Sequence, residues 1–142
     1  MKKMALFAAA ALMSTAALAQ KLNSAQVPQE VKTAFQKLYP AVSKVKWEKE
    51  KGNYEAEFEV NEIDHAVVLD AKGQVLETEE EITVNQLPSD VDAYVKSHYA
   101  GQSIKKADKI TDSKGTVTYE AEIKHMDLIF DAHGKFIKEE KD

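Results

Sequence analysis

Three blocks of the chain occur twice, in the same order. Val27-Pro28 opens a stretch carrying Val31, Phe35, Leu38 and Tyr39, and Leu87-Pro88 opens one carrying Val91, Val95, His98 and Tyr99. Tyr54-Glu55-Ala56-Glu57-Phe58 returns as Tyr119-Glu120-Ala121-Glu122-Ile123. Leu69-Asp70-Ala71-Lys72-Gly73 returns as Phe130-Asp131-Ala132-His133-Gly134. Repeated blocks in a fixed order predict two copies of one supersecondary unit, over about 27–82 and 87–140. A single unit of that size is marginal alone, which predicts one layer of helices on one continuous or paired sheet.

Within each copy the periodicity changes from helical to extended. Val27, Val31, Phe35 and Leu38 fall on one helical face after Pro28, and Pro40 ends the run, which predicts a helix over about 28–39. Beyond it, Val45 and Trp47 alternate with Lys44, Lys46 and Glu48. Tyr54, Ala56, Phe58 and Val60 alternate with Glu55, Glu57 and Glu59. Val67 and Leu69 continue the apolar face, and Gly73 supplies the positive φ for a turn into a fourth strand that runs to Ile82. The second copy repeats the pattern from Leu87 onward. The expected fold class is α+β: two tandem units of one helix plus about four antiparallel strands, with the helices on one face of the sheet.

The first nineteen residues read differently. Lys2 and Lys3 precede the apolar run Ala5–Met13, and Ala17-Leu18-Ala19 ends the segment. This is the pattern of a secretory signal peptide over residues 1–19, with Gln20 as the mature N-terminus. Periplasmic or secreted localisation follows, with no membrane insertion after removal of the leader. The remainder, 20–142, has the length of one domain.

Composition narrows the function. The formal charge is −5, every one of the 19 basic residues is lysine, and there is no cysteine. An acidic chain without arginine is not built for nucleic acid. Disulfides, thiol chemistry and thiolate metal sites are excluded. No Gly-rich phosphate loop, Gly-x-Ser-x-Gly elbow or His-Glu-x-x-His helix occurs. No catalytic residue and no cofactor is expected.

The Val-Pro or Leu-Pro helix opening, the Tyr-Glu-Ala-Glu strand and the Asp-x-x-Gly turn resemble the exported PepSY-like proteins, which are similar in fold to β-lactamase inhibitor protein. The resemblance covers about 27–140. It implies a non-enzymatic binding module that inhibits or regulates a peptidase or other envelope enzyme, with an unidentified exported protein or peptide as partner. No inhibitory loop of the family can be matched onto this sequence.

Strand parity supplies candidate residues for that role. Lys46, Glu55, Glu57, Glu120 and Glu122 fall on the sheet face away from the helices, with Val68 and Ile129 as its apolar centre. An exposed apolar patch around those two would mark a partner site. The alternative is a small-ligand or metal-ion binder, for which His65 and His125, in comparable regions of the two copies, are the weaker candidate ligands. His98 is expected to be partly buried on its helix stripe. Trp47 and Tyr54 are expected in the core. The acidic run Glu77, Glu79, Glu80 and Glu81 is expected to be a solvated sheet edge, where charge opposes strand-to-strand aggregation, in preference to the alternative of a site that attracts a divalent cation or a basic partner.

Overall fold

A computed structural model describes residues 19–141. The signal peptide expected over 1–19 lies outside the described residues but for Ala19. Two helices, α1 (Gln29–Leu38) and α2 (Ser89–His98), accompany nine strands. In chain order these are β1 (Gln20–Leu22), β2 (Lys46–Glu50), β3 (Asn53–Val60), β4 (Ile63–Leu69), β5 (Val75–Ile82), β6 (Lys106–Asp112), β7 (Val117–Ile123), β8 (Met126–Asp131) and β9 (Phe136–Lys141).

The strands form one sheet in the order β1-β2-β3-β4-β5-β6-β7-β8-β9, each antiparallel to its sequence neighbour. The helix–four-strand order occurs twice along the chain, and the sheet runs through both stretches without a break, because β5 pairs with β6 from Glu77↔Asp112 to Ile82↔Ala107. The fold class is therefore α+β, with two helices on a nine-stranded antiparallel sheet. Strand β1 precedes the first helix and pairs with β2 through Leu22↔Trp47.

A short 3-10 turn precedes each helix, at Ser24–Gln26 and Val84–Gln86. Each is closed by a reciprocal cap: Asn23 N donates to Gln26 Oε1 at 2.9 Å, and Thr83 N donates to Gln86 Oε1 at 2.8 Å. The caps satisfy backbone donors that the turn itself leaves open. They also aim the Val-Pro and Leu-Pro steps into the helices.

Both helices bury one stripe against the same sheet face. Val31 and Phe35 join Trp47, Tyr54, Ala56, Phe58, Val67 and Leu69 in one cluster. Val91 and Val95 join Ala121, Ile123, Leu128 and Phe130 in a second. Trp47 and Tyr54 are core residues, as their parity requires. Leu38 is not: it is 51% exposed, because α1 ends there and the chain leaves the sheet. His98 is also exposed; its ring stacks 3.9 Å from that of Tyr94 instead of entering the core.

The Asp-x-x-Gly turns tie strands to helices. Oδ1 of Asp70 accepts from the amides of Lys72 and Gln74, and Asp131 does the same with His133 and Lys135, all at 2.9 Å. The glycines have φ near +85° and no room for a side chain: a Cβ on Gly73 would lie 2.8 Å from Glu30 O, and one on Gly134 would lie 2.9 Å from Pro88 Cβ. Glycine is required there by backbone conformation and by the close approach of each turn to the first turn of a helix. Among the described residues no helix is long and apolar enough to cross a membrane.

Candidate functional site

The helices cover one sheet face, yet the other is buried too. Glu55 and Asp108 are each 2% exposed, Ile129 4%, and Val68 6%, although all four point away from the helices. Twist and curl explain this. A long antiparallel sheet coils as its strands twist, and here it curls toward its helix-free face. Glu140 on β9 comes near enough for its charge to act on Glu50 on β2.

Register decides what this enclosed face contains. On β2 and β3, Lys46 lies opposite Glu57 and Glu48 opposite Glu55. On β4 the face carries Ala66 and Val68, opposite Glu79 and Glu77 of β5. On β6 and β7, Lys106 lies opposite Glu122 and Asp108 opposite Glu120. On β8, Asp127 and Ile129 pair with Glu140 and Lys138 of β9. Carboxylates thus greatly outnumber lysines. The alternation that places apolar side chains under the helices places glutamates on this side.

The electrostatic consequence is severe. Burial, with Glu79, Asp127 and Asp108 nearby, raises the Glu120 carboxyl to about 10. Burial together with Glu57 and Glu48 raises Glu55 to about 8. Burial and then Asp112 raise Glu77 to about 7. Asp108 rises to about 6 through burial, held back by the Lys106 ammonium. Glu79 stands well above the usual carboxylate range, first from burial and then from Asp108 and Glu55. Desolvation and like charge both disfavour the ionised forms. Lys106 Nζ, 3.8 Å from Asp108 Oδ2 and 3.7 Å from Glu81 Oε2, offsets part of this. Among the described residues, Oε1 of Glu55, Oδ1 of Asp108 and Oε2 of Glu120 are nevertheless buried without a hydrogen-bond partner.

Two groups of carboxylates converge: Glu79, Asp108 and Glu120, all buried, and Glu48, Glu55 and Glu57, of which only Glu55 is fully buried. In each group one oxygen per residue lies within 4.8 Å of the others.

These positions revise several expectations. Lys46, Glu55, Glu57, Glu120, Glu122, Val68 and Ile129 do share one face. Val68 and Ile129 form no exposed apolar patch, however, because the curled sheet and the carboxylates around them cover both. The acidic run is not an edge. It lies on β5, the middle strand of nine, with Glu77, Glu79 and Glu81 on the enclosed face and Glu80 on the other. His65 and His125 do not belong to one site. His65 lies on the helix side, its ring stacked 5.5 Å from that of Phe58, and His125 is an exposed turn residue at φ +62°. Among the described residues neither converging group contains a histidine.

Asp108 is the site residue that sequence reasoning missed, and that reasoning reads Glu79 as part of a solvated edge. The signal was present in the outward parity of both. Their burial depends on curvature set by the whole sheet, which local spacing does not report.

Comparison with known proteins agrees with this fold. The model of the family described as "Putative beta-lactamase-inhibitor-like, PepSY-like" matches residues 10–77 and 54–138. The chain belongs to this PepSY-like family. The two matched segments overlap, so they do not coincide with the copies read at about 27–82 and 87–140. Among solved structures, a BLIP-like protein from Bacteroides fragilis is 26% identical, with a TM-score of 0.63 over 80% of this chain and 86% of that one. A DUF2874 family protein from Bacteroides uniformis is 23% identical, with a TM-score of 0.71 over 80% and 88%. A protein from Bacteroides eggerthii described as a "putative periplasmic" protein is 18% identical, with a TM-score of 0.72 over 81% and 88%. The latter two likenesses concern the fold alone. No curated protein matches the chain.

Proposed function

We propose that this PepSY-like protein is a non-enzymatic binding module of the periplasm. It takes a positively charged segment of an exported protein or peptide on the helix-free sheet face, and through that contact inhibits or regulates a peptidase or other envelope enzyme. One observation carries the reading: carboxylates are concentrated on a single enclosed face, where they greatly outnumber lysines. A cationic partner supplies the missing charge. The half-buried carboxylates Glu48, Glu57, Glu81 and Glu122 around the buried ones are placed to meet it. Membership of the family and the periplasmic description of the Bacteroides eggerthii structure support the compartment.

Raised carboxyl pKa values also occur at catalytic centres. A catalytic carboxyl pair must also face a cleft that holds substrate. One cleft of about 340 Å³ runs along α1 at Gln29, Thr33 and Gln36, and one of about 490 Å³ lies between α2 and the β8–β9 turn at Tyr94, Ser97 and Phe136. Neither of these two clefts reaches the carboxylate face. The convergence of three buried carboxylates favours a second reading, a metal-ion binder, developed below.

The test is a binding titration at physiological ionic strength with a lysine-rich peptide and a glutamate-rich peptide of equal length. The chain from Gln20 onward, which contains every described helix and strand, binds the first and not the second. Changing Glu48, Glu57 and Glu122 together to glutamine weakens binding at least about tenfold, the equivalent of 1.4 kcal/mol. Equal binding of the two peptides, or an unaffected variant, contradicts the proposal.

A further inference from the structure

We infer that Glu79, Asp108 and Glu120 form a binding site for a hard divalent cation of calcium size at the centre of the helix-free face. The inference rests on that face being the binding face, and it specifies what occupies its middle.

Three adjacent strands, β5, β6 and β7, each contribute one carboxylate. Asp108 and Glu120 are register partners, and Glu79 lies opposite Ile110, two residues along β6 from Asp108. All three are at least 94% buried, at 5%, 2% and 6% exposure. Their oxygens lie within 4.8 Å of one another. Oxygens that close can share one ion. A buried carboxylate set drawn from three strands suits calcium, which accepts flexible geometry, better than magnesium, which keeps its waters and demands near-ideal octahedral geometry.

A second observation points the same way. Asp108 Oδ1 and Glu120 Oε2 have no hydrogen-bond partner although both are buried. A buried acceptor without a donor is costly, and two within one group of mutually repelling carboxylates are more so. Protonation relieves the charge but satisfies few lone pairs. A divalent ion relieves both at once. The donor set is oxygen only, which suits calcium and excludes the thiolate and imidazole preferences of zinc or copper. Lys106 flanks the group and reduces its net charge without closing it, since its ammonium lies beside Asp108 Oδ2 and Glu81 Oε2. Three protein carboxylates leave positions on the ion for water. This places the affinity in the range of extracellular calcium modules, about 10⁻⁴–10⁻³ M.

The test titrates the chain from Gln20 onward, freed of metal by chelation and dialysis, with calcium chloride at fixed pH 7.5, following heat and melting temperature. The expected result is one ion per chain, a melting temperature raised by roughly 5–10 °C at 10 mM calcium, and binding of magnesium at least tenfold weaker. Glu120→Gln abolishes the shift, while Glu30→Gln, on the exposed first turn of α1, preserves it. No shift at 10 mM calcium, or a shift that Glu120→Gln leaves unchanged, overturns the site. Loss of the calcium response with peptide binding intact rejects the ion site and keeps the binding face. The reverse outcome keeps the ion site and rejects the peptide partner.

Discussion

In the presence of a chelator, raising the pH from 5 to 8 lowers the melting temperature by on the order of 10 °C. The carboxyls of Glu55 and Glu120, at about 8 and about 10 in the folded protein, keep their protons through most of this interval. In the unfolded chain both titrate near 4.5. The folded state therefore binds more protons than the unfolded state, and stability falls as pH rises, by up to about 1.4 kcal/mol per pH unit for each group. The penalty is absent below the unfolded value and complete only above the folded one. Glu77 and Asp108, raised to about 7 and about 6, act in the same direction over the lower part of the range. Asp112 and Asp131 act oppositely, since backbone amides in their turns, led by those of Thr116 and Lys135, lower their values from 3.8. Their contribution is lost only below about pH 4. Most acidic proteins with paired surface carboxylates lose stability toward acid; this one gains it down to about pH 5. A melting temperature that is flat or rising between pH 5 and 8 contradicts the burial of these groups.

Phe35→Ala costs about 3–5 kcal/mol, which lowers the melting temperature by about 10–20 °C. Phe35 is 2% exposed at the centre of the first core cluster. Its ring meets Phe58 at 5.1 Å and Trp47 at 5.5 Å, both edge-on, and Tyr39 at 5.4 Å. Removing it leaves a cavity between α1 and the sheet that three aromatic rings cannot close without leaving their own contacts. Leu38→Ala, one turn further along α1 and half exposed, changes stability by less than about 0.5 kcal/mol. Unfolding followed by the fluorescence of Trp47, the single tryptophan, separates the two cases. Equal effects would contradict the helix-on-sheet packing.

How far the sequence carries depends on the range of the interaction being read. Local signals are reliable here: Pro28 and Pro88 mark the helix starts, Asp70 and Asp131 with their glycines mark the turns, and alternation from Tyr54 to Val60 assigns each side chain to a face. The reciprocal caps at Asn23 and Thr83 also have a local signal, a glutamine three residues on, which the sequence reading does not use. Signals that depend on the whole sheet are not. Nothing local to Glu77–Glu81 shows that β5 is the middle strand, because that follows from β5 pairing with β6 across a helix. Nothing local to Val68 shows that an outward-facing valine is covered by the curl of distant strands. The carboxylate site lies where local polarity suggests solvent and global curvature removes it.

The most direct test of the account compares the wild-type protein with Glu120→Gln in chelator at pH 8 and pH 5. On the proposed function, the enclosed carboxylates serve a ligand at the expense of the fold. Glutamine keeps the shape of Glu120 and removes its charge from the unfolded reference. Its amide also gives Glu79 and Asp108 a donor. The variant should melt several degrees above the wild type at pH 8, with the difference shrinking at pH 5. A variant that melts at or below the wild type at both pH values would show that Glu120 serves the fold, and would contradict the account.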